Sequence, residues 1–273
     1  MEIFLLKATA FLYLAGTVCF ILCLVAPKPS LTKAAPVVLF IGYCVHTLAF
    51  GSLFLRDGFL AVTQFREALS FYSWLMTGVF LLAQLKYRLA VLGSIIAPLA
   101  FLMTFSGFVF AGGAQELPEA LETYWLPLHV TFALLGNAVF ALAFGVSLAY
   151  LFQEHQLKKK KLAIFTRQLP SLETLDRLNV VFLVWGFPLM TLGIVTGSLW
   201  AAAHWGNYWS WEARQISSAL TWILYGALLH GRFTAGISGK KAAVLTVVGF
   251  IVVLGYFLWG DSVFPGRHGG RFD

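Results

Sequence analysis

Charged residues are scarce in this sequence of 273 residues, since Asp, Glu, Lys and Arg together make up only 11% of it. Soluble globular domains carry about 25% charged residues, because a surface in water needs polar side chains to cover it. Hydrophobic residues instead make up 59% of the chain. This imbalance excludes a soluble enzyme, a disordered protein and a nucleic-acid binder, and it predicts an integral membrane protein.

Cysteine is also rare, and its placement excludes a disulfide-stabilised scaffold. The three cysteines, Cys19, Cys23 and Cys44, all lie in apolar runs and form no Cys-x-x-Cys motif. The glycine-rich phosphate loop, the His-Glu-x-x-His zinc helix and the serine nucleophile elbow are missing as well. We therefore expect no self-contained active site in this chain.

Long hydrophobic runs are what the sequence has in abundance. A helix that crosses a bilayer needs about 20 apolar residues. Eight runs meet this length within a few residues, which predicts an all-α polytopic membrane helix bundle of about eight transmembrane helices. The runs are Ile3–Ala26, Pro36–Leu55, Leu69–Leu85, Leu89–Ala111, Leu128–Phe152, Val180–Ala203, Ile216–Phe233 and Ala242–Trp259. We predict two parts: a four-helix membrane part over residues 1–111, and a core over 112–273 that contains a tryptophan-rich segment at 204–214.

The basic residues predict how the chain is oriented in the membrane. If the loop that holds Lys158–Lys161 is cytoplasmic, 13 of the 19 Lys and Arg residues fall inside and six fall outside. Cytoplasmic loops are enriched in Lys and Arg, so this orientation is favoured. It predicts a multi-pass protein of the inner (plasma) membrane with both termini on the outer, periplasmic side. The net charge of +7 then reflects topology and not nucleic-acid binding.

The tryptophan-rich segment is the densest cluster of aromatic residues in the chain. Its aromatic members are Trp205, Tyr208, Trp209 and Trp211. An interfacial belt accounts for one or two aromatic residues at a helix end, but four within seven positions exceed it. We expect a flat aromatic shelf with Glu212 and Arg214 at its edge. Such a shelf suits a large planar ligand with acidic groups, for example a porphyrin.

Four histidines are candidates for binding the iron of such a ligand. The predicted topology places His129 and His268 at the same outer face as the tryptophans, where two imidazoles could bind iron axially. His46 and His230 fall inside apolar helices, where an ionisable side chain is costly and usually functional. Their depths differ by roughly 8 Å, and we favour a second bis-histidine site for this pair. The alternative for each is an ordinary interfacial or hydrogen-bonded histidine.

Two motifs resemble a known family. The segment from Trp205 to Glu212 reads W-G-N-Y-W-S-W-E, and the following helix ends in L-L-H-G-R at Arg232. Together they resemble the tryptophan-rich signature of the cytochrome c assembly family, which includes CcsA (also called ResC), HemX, CcmC and CcmF. The run W-L-P-L-H that ends at His129 and the G-R-H-G tail around His268 extend the resemblance.

The resemblance implies a role for each histidine and for the protein. His129 and His268 would be the axial ligands of a heme b that lies on the tryptophan-rich segment. His230 would be the intramembrane ligand, with His46 as its partner. The implied activity is export of heme and its presentation to apocytochrome c, as the heme-presenting subunit of a holocytochrome c synthase (heme lyase). The implied partners are apocytochrome c, a CcsB/ResB-like membrane protein and the lipid membrane.

Two alternatives stay open at this point. The chain departs from the signature at Glu212, where the family has Asp, and no Tyr follows His268. It is also short for CcsA and closer in length to HemX, which would make it a heme-binding regulator of glutamyl-tRNA reductase levels. A b-type heme electron-transfer subunit is the second alternative, although such subunits usually carry two ligand histidines on one helix.

Overall fold

The computed structural model of the protein describes residues 2–26, 28–57, 65–87, 89–109, 125–160 and 169–263. Within these ranges the chain forms eight α-helices and no β-strand. The all-α class predicted from the sequence is therefore confirmed. In chain order the helices are α1 (Glu2–Val25), α2 (Pro29–Asp57), α3 (Phe65–Tyr87), α4 (Ala90–Val109), α5 (Trp125–Lys158), α6 (Leu172–Trp205), α7 (Ala213–Thr234) and α8 (Gly239–Val263).

Six of these helices, α1 to α6, are long and apolar enough to cross a membrane. Helices suit this environment because each satisfies its own backbone hydrogen bonds without water. Over their described residues, α7 and α8 do not reach the same combination of length and hydropathy. The eight predicted segments are thus all helical, while six of them qualify as membrane spans.

Two helices are longer than the apolar runs that predicted them. Both α5 and α6 contain 34 residues, which corresponds to roughly 51 Å of helix. The extra turn of α5 is polar, and the ammonium of Lys158 lies 2.6 Å from the carboxylate of Glu154 one turn before it. Hydropathy marks the part of a helix inside the bilayer, so it misses helical turns that continue into water.

The chain divides into two compact units. Unit 1 comprises Met1–Glu116 and Phe152–Ser171, and unit 2 comprises Leu117–Leu151 and Leu172–Asp273. In unit 1, α1 packs against α2 and α4, and α3 packs against α4. Phe20 of α1 is fully buried, and its ring lies so close to Gly93 that a Cβ there would clash with it. Small residues allow this close packing in membrane helices.

In unit 2, glycines bring the backbones of α5 and α6 together. A Cβ at Gly193 of α6 would lie 2.8 Å from the backbone nitrogen of Ala133 in α5. A Cβ at Gly136 of α5 would likewise lie 2.8 Å from the backbone nitrogen of Met190 in α6. Neither position admits a larger side chain without moving a helix. This seam between α5 and α6 positions the histidine described below.

A polar cluster also ties α5, α6 and α8 together inside unit 2. The side-chain amide of Asn179 donates hydrogen bonds to the hydroxyl of Ser147 at 2.8 Å and to that of Thr246 at 3.0 Å. Each hydroxyl in turn donates to a carbonyl oxygen one helical turn earlier. Hydrogen bonds between membrane helices stabilise them by about 0.6 kcal/mol on average.

Candidate functional site

His129 of α5 has a fixed orientation. Its Nδ1 atom lies 2.7 Å from the carbonyl oxygen of Gly193 in α6. Because a carbonyl oxygen can only accept, Nδ1 carries the proton and donates it. The lone pair of the neutral imidazole is therefore on Nε2. An Nδ1–H···O=C hydrogen bond is the arrangement that orients histidines which bind metals through Nε2.

A second glycine makes room for the ring of His129. A Cβ at Gly197 would lie 2.5 Å from Nδ1 of His129. Real Cβ atoms do not approach a ring this closely, so only glycine fits at position 197 with the ring in this place. The carbonyl of Gly193 and the bare backbone of Gly197, one turn further along α6, form a seat for the imidazole. We call these two residues the glycine seat.

The C-terminal end of α6 carries an aromatic cluster of which the sequence revealed only a part. The ring of Trp200 stacks on that of His204 with centroids 5.0 Å apart, and Trp205 meets Trp200 edge-on at 4.8 Å. Nδ1 of His204 lies 2.9 Å from the carbonyl oxygen of Trp200. Trp200 lies outside the tryptophan-rich segment. The sequence could have indicated that Trp200 belongs to the cluster only through its position one helical turn before His204.

The expectation of one flat aromatic shelf was wrong. The rings of Trp209 and Trp211 are nearly perpendicular, at 84° with centroids 5.7 Å apart. Aromatic pairs favour this edge-to-face contact because the positive ring edge meets the negative ring face. The backbone also turns here, since Trp211 has a φ of +57°. The segment instead offers separate ring surfaces, of which Tyr208 is 65% and Trp211 76% exposed.

Polar groups at the start of α7 complete the tryptophan-rich segment. The hydroxyl of Ser210 donates to a carboxylate oxygen of Glu212 at 3.2 Å, and its backbone N–H donates to the side-chain oxygen of Gln215 at 2.7 Å. Glu212 is the N-cap residue of α7. The N-terminus of a helix carries partial positive charge and favours anions. The negative charge of Glu212 is therefore favourably placed at this end of α7.

One buried polar atom in this segment has no hydrogen-bond partner among the described residues. The indole nitrogen of Trp209 is buried and forms no hydrogen bond with any residue that the structure describes. A buried N–H without an acceptor costs about 1–3 kcal/mol. An acceptor group on a bound ligand would satisfy it. Trp209 is thus one candidate contact for a polar group of a ligand.

His230 lies at the other end of α7, where its side chain is exposed. It is 18 residues from Glu212 along the chain, which corresponds to roughly 27 Å of helix. The two candidate positions in unit 2 are therefore well separated, one at each end of α7.

His46 lies in unit 1 and has both ring nitrogens engaged. Its Nδ1 is 3.2 Å from the hydroxyl of Tyr13, and its Nε2 is 3.0 Å from that of Ser70. The ring stacks on Phe50 with centroids 4.9 Å apart. The side chain is fully buried, so it joins α1, α2 and α3. Binding iron through His46 would require one of these hydrogen bonds to break.

Two predicted site residues cannot be placed. His268 and the side chain of Arg214 lie outside the described residues. Among the residues that are described, no three His, Cys, Asp or Glu side chains form a group that could hold a metal ion.

Fold and site together define a multi-pass helical membrane protein with a histidine oriented by α6, the helix whose C-terminal end leads into a tryptophan-rich segment. Residues 62–263 match the family described as "Cytochrome C assembly protein". This match covers most of the chain, so the chain belongs to the cytochrome c assembly family.

Several curated relatives carry the same name, "Cytochrome c biogenesis protein CcsA". The protein of Guillardia theta is 30% identical, over 85% of this chain and 85% of its own length. That of Chlamydomonas reinhardtii is 33% identical, over 80% of this chain and 62% of its own length. That of Synechocystis is 25% identical, over 96% of both chains. The shortness noted in the sequence therefore does not separate this chain from CcsA.

Among solved structures, "Cytochrome c Heme Lyase CcmF" has a similar fold. The TM-score is 0.66 at 17% sequence identity, and the match covers 96% of this chain. This chain spans half of the length of that lyase chain. At this identity the likeness shows that the fold is shared.

Proposed function

We propose that this protein handles heme in cytochrome c biogenesis. It holds heme b at the end of unit 2 that carries the tryptophan-rich segment, and it presents the heme to apocytochrome c for covalent attachment. The observation that carries the proposal is the glycine seat of His129, which fixes the proton on Nδ1 and leaves the lone pair on Nε2. The names of its relatives, cytochrome c biogenesis protein and heme lyase, support the same function.

The residues at this end of unit 2 fit heme. A neutral imidazole is a common axial ligand of heme iron. His129 would be one ligand and His268 the other. The exposed rings of Tyr208 and Trp211 would contact the porphyrin face, and Trp205 and Trp209 would line it. Glu212 and Arg214 would position its acidic edge.

The opposite end of α7 would hold heme nearer the cytoplasm. His230 would bind the iron there, and His46 stays the predicted second ligand. The roughly 27 Å of helix between Glu212 and His230 supports two separate positions, and passage from the inner to the outer one would amount to export of heme.

The chain needs no nucleophile of its own for this reaction. Bound heme supplies vinyl groups to which the cysteine thiols of apocytochrome c add. The protein would contribute orientation of the heme, axial ligation and control of its redox state, and the orientation favours the reacting geometry. It would therefore be the heme-presenting subunit of a heme lyase in the inner membrane, with a CcsB/ResB-like protein as its membrane partner.

The test is an absorption spectrum of the purified full chain, recorded before and after reduction with dithionite. The wild type from heme-replete cells should be coloured. His129→Ala should lose the outer heme, keep the inner one and fail to deliver heme to apocytochrome c. The matched control is His155→Ala, because His155 is exposed at the end of α5 and has no assigned role. A colourless wild type that stays colourless after reconstitution would overturn the proposal.

Two outcomes would point to the alternatives. If deletion of the gene changes the abundance of glutamyl-tRNA reductase but leaves covalent c-type cytochromes normal, the protein is a HemX-like regulator. If the purified protein retains its heme and never passes it to an apocytochrome, it is a b-type electron-transfer subunit.

A further inference from the structure

Asp176 joins three helices at the end of unit 2 that carries His230. Its carboxylate accepts a hydrogen bond from Arg232 of α7 at 2.8 Å and another from the backbone N–H of Gly239 in α8 at 3.0 Å. Its backbone carbonyl accepts a further bond from Arg232 at 3.2 Å. Asp176 itself belongs to the second turn of α6. One residue thus ties the second turn of α6 and the start of α8 to the last turn of α7.

The ion pair in this junction is largely removed from solvent. The side chain of Arg232 is 4% exposed and that of Asp176 25%. Removing one partner of a buried pair is strongly destabilising, because the other charge is left uncompensated. A cation in the last turn of a helix also interacts favourably with the helix dipole. The junction therefore holds α7 firmly in one rotational setting.

That rotational setting decides where His230 points. Residues two apart on an α-helix are separated by roughly 200° around its axis. Arg232 faces α6 and is buried, so His230 lies on nearly the opposite side of α7, where it is exposed. The turn beyond α7 is closed as well, because the carbonyl of Gly231 accepts the backbone N–H groups of Ala235 and Ile237.

We propose that Asp176 is a positioning residue for the heme ligand His230. It acts through Arg232, by fixing the rotation of the last turn of α7 so that the imidazole is presented outward from unit 2. This inference rests on the proposed heme function. Groups that orient a metal ligand without touching the metal typically change metal affinity by about 10-fold to 100-fold.

The experiment measures heme affinity at the inner position alone. All variants are made in the full-length chain carrying His129→Ala, so that binding at the outer position does not contribute. The purified heme-free protein is titrated with hemin, and its Kd and absorption spectrum are recorded. Asp176→Asn keeps the size of the side chain and removes its charge. The matched control is Glu154→Gln, which removes a carboxylate from the Lys158 pair at the end of α5.

A second background separates positioning from a general structural role. His230→Gly with added imidazole supplies the ligand from solution, so the orientation of α7 no longer matters for ligation. We expect Asp176→Asn to raise the Kd about 10-fold or more with His230 present and to leave it unchanged in the His230→Gly background with imidazole. Interacting residues give such non-additive effects. Asp176→Glu, which retains the charge, should recover part of the affinity.

Each remaining result counts against the proposal. An equal rise of the Kd in both backgrounds would show that Asp176 only stabilises the fold. An unchanged Kd in both backgrounds would show that Asp176 has no effect on heme binding. If Asp176→Asn does not yield folded protein, the same comparison is made with Asp176→Glu. If the His129→Ala chain with native Asp176 and His230 binds no hemin, the inner heme position itself fails. If it binds and Asp176→Asn binds equally well, only this inference fails.

Discussion

His46 of unit 1 is fully buried and His129 of unit 2 is half-buried, and both lie on helices long and apolar enough to span a membrane. Their surroundings differ. His46 meets a hydroxyl at each ring nitrogen, from Tyr13 and Ser70. His129 meets a backbone carbonyl at Nδ1 and the bare backbone of Gly197 beside it. Hydroxyls can donate or accept, so they satisfy either nitrogen. A carbonyl only accepts, so it fixes which nitrogen keeps its lone pair.

The difference teaches that a histidine in a membrane helix is not by itself a metal ligand. The neighbours of the ring decide whether it joins helices or faces a ligand. In unit 1 the imidazole links α1, α2 and α3 through two hydroxyls, whereas in unit 2 the ring of His129 joins α5 to a backbone carbonyl of α6. The proposed role of His129 as a heme ligand predicts that the two histidines respond differently to substitution, and the following variants test this contrast.

The largest effect is expected from His46→Ala. It leaves the buried hydroxyls of Tyr13 and Ser70 without the ring and opens a cavity, which should lower the free energy of unfolding by about 3 kcal/mol. Thermal or denaturant unfolding of the purified protein in detergent measures it. His46→Gln retains an amide that can form hydrogen bonds and should recover part of the loss.

The same two variants test His46 as an iron ligand. Glutamine does not replace imidazole on heme iron, so the predicted ligand role requires both variants to lose the inner heme equally. If the heme content instead follows the unfolding free energy, His46 serves only to join the helices.

Gly197→Ala should have the next largest effect. The added Cβ would lie 2.5 Å from Nδ1 of His129, so the ring must leave the glycine seat. Overpacking of this kind costs about 1–3 kcal/mol, and displacement of an oriented ligand should weaken outer heme binding about 10-fold or more. The heme content of the purified protein measures the loss of outer heme binding. Gly255→Ala is the control, because a Cβ there would meet no atom of the described residues within 4 Å. An equal loss of heme in both variants would contradict the account.

Asn179→Ala should have a smaller effect, of about 1 kcal/mol on the free energy of unfolding. It removes two hydrogen bonds between helices of unit 2. The side-chain oxygen of Asn179 is buried without a partner among the described residues, so its removal offsets part of the loss. Ser94→Ala is the comparison, since the hydroxyl of Ser94 donates to a carbonyl oxygen of its own helix. A greater loss of stability in Ser94→Ala than in Asn179→Ala would contradict this expectation.

The smallest effect is expected from Glu154→Gln. Lys158 is 66% exposed in its pair with Glu154, and exposed pairs one helical turn apart contribute about 0.3–0.5 kcal/mol. The free energy of unfolding should therefore change by less than the uncertainty of most measurements. A loss as large as that in Asp176→Asn would mean that burial does not distinguish the two ion pairs.

The helices could be predicted from the sequence because continuous apolar runs leave the backbone few alternatives in a membrane. The ends of the helices could not be predicted, as at Glu154 and Asp176, where polar residues continue the helix outside the apolar run. The pairing of Asp176 with Arg232 joins residues 56 positions apart. No pattern in the sequence indicates that these two residues form a pair.

The candidate site could be predicted in its composition but not in its geometry. The tryptophan-rich segment and His129 are visible in the sequence. The glycine seat is not, because Gly193 and Gly197 acquire their role only when α5 lies against that face of α6. The angle between Trp209 and Trp211 likewise depends on the backbone turn at Trp211, which no periodic pattern encodes.

The central claim is that His129, held in the glycine seat, binds heme iron through Nε2. Its most direct test is the heme content of purified His129→Gly, measured with and without imidazole in the buffer. We predict that the outer heme and its delivery to apocytochrome c are lost without imidazole and restored with it. The claim is contradicted if His129→Gly binds and delivers heme like the wild type without imidazole, or if imidazole restores nothing.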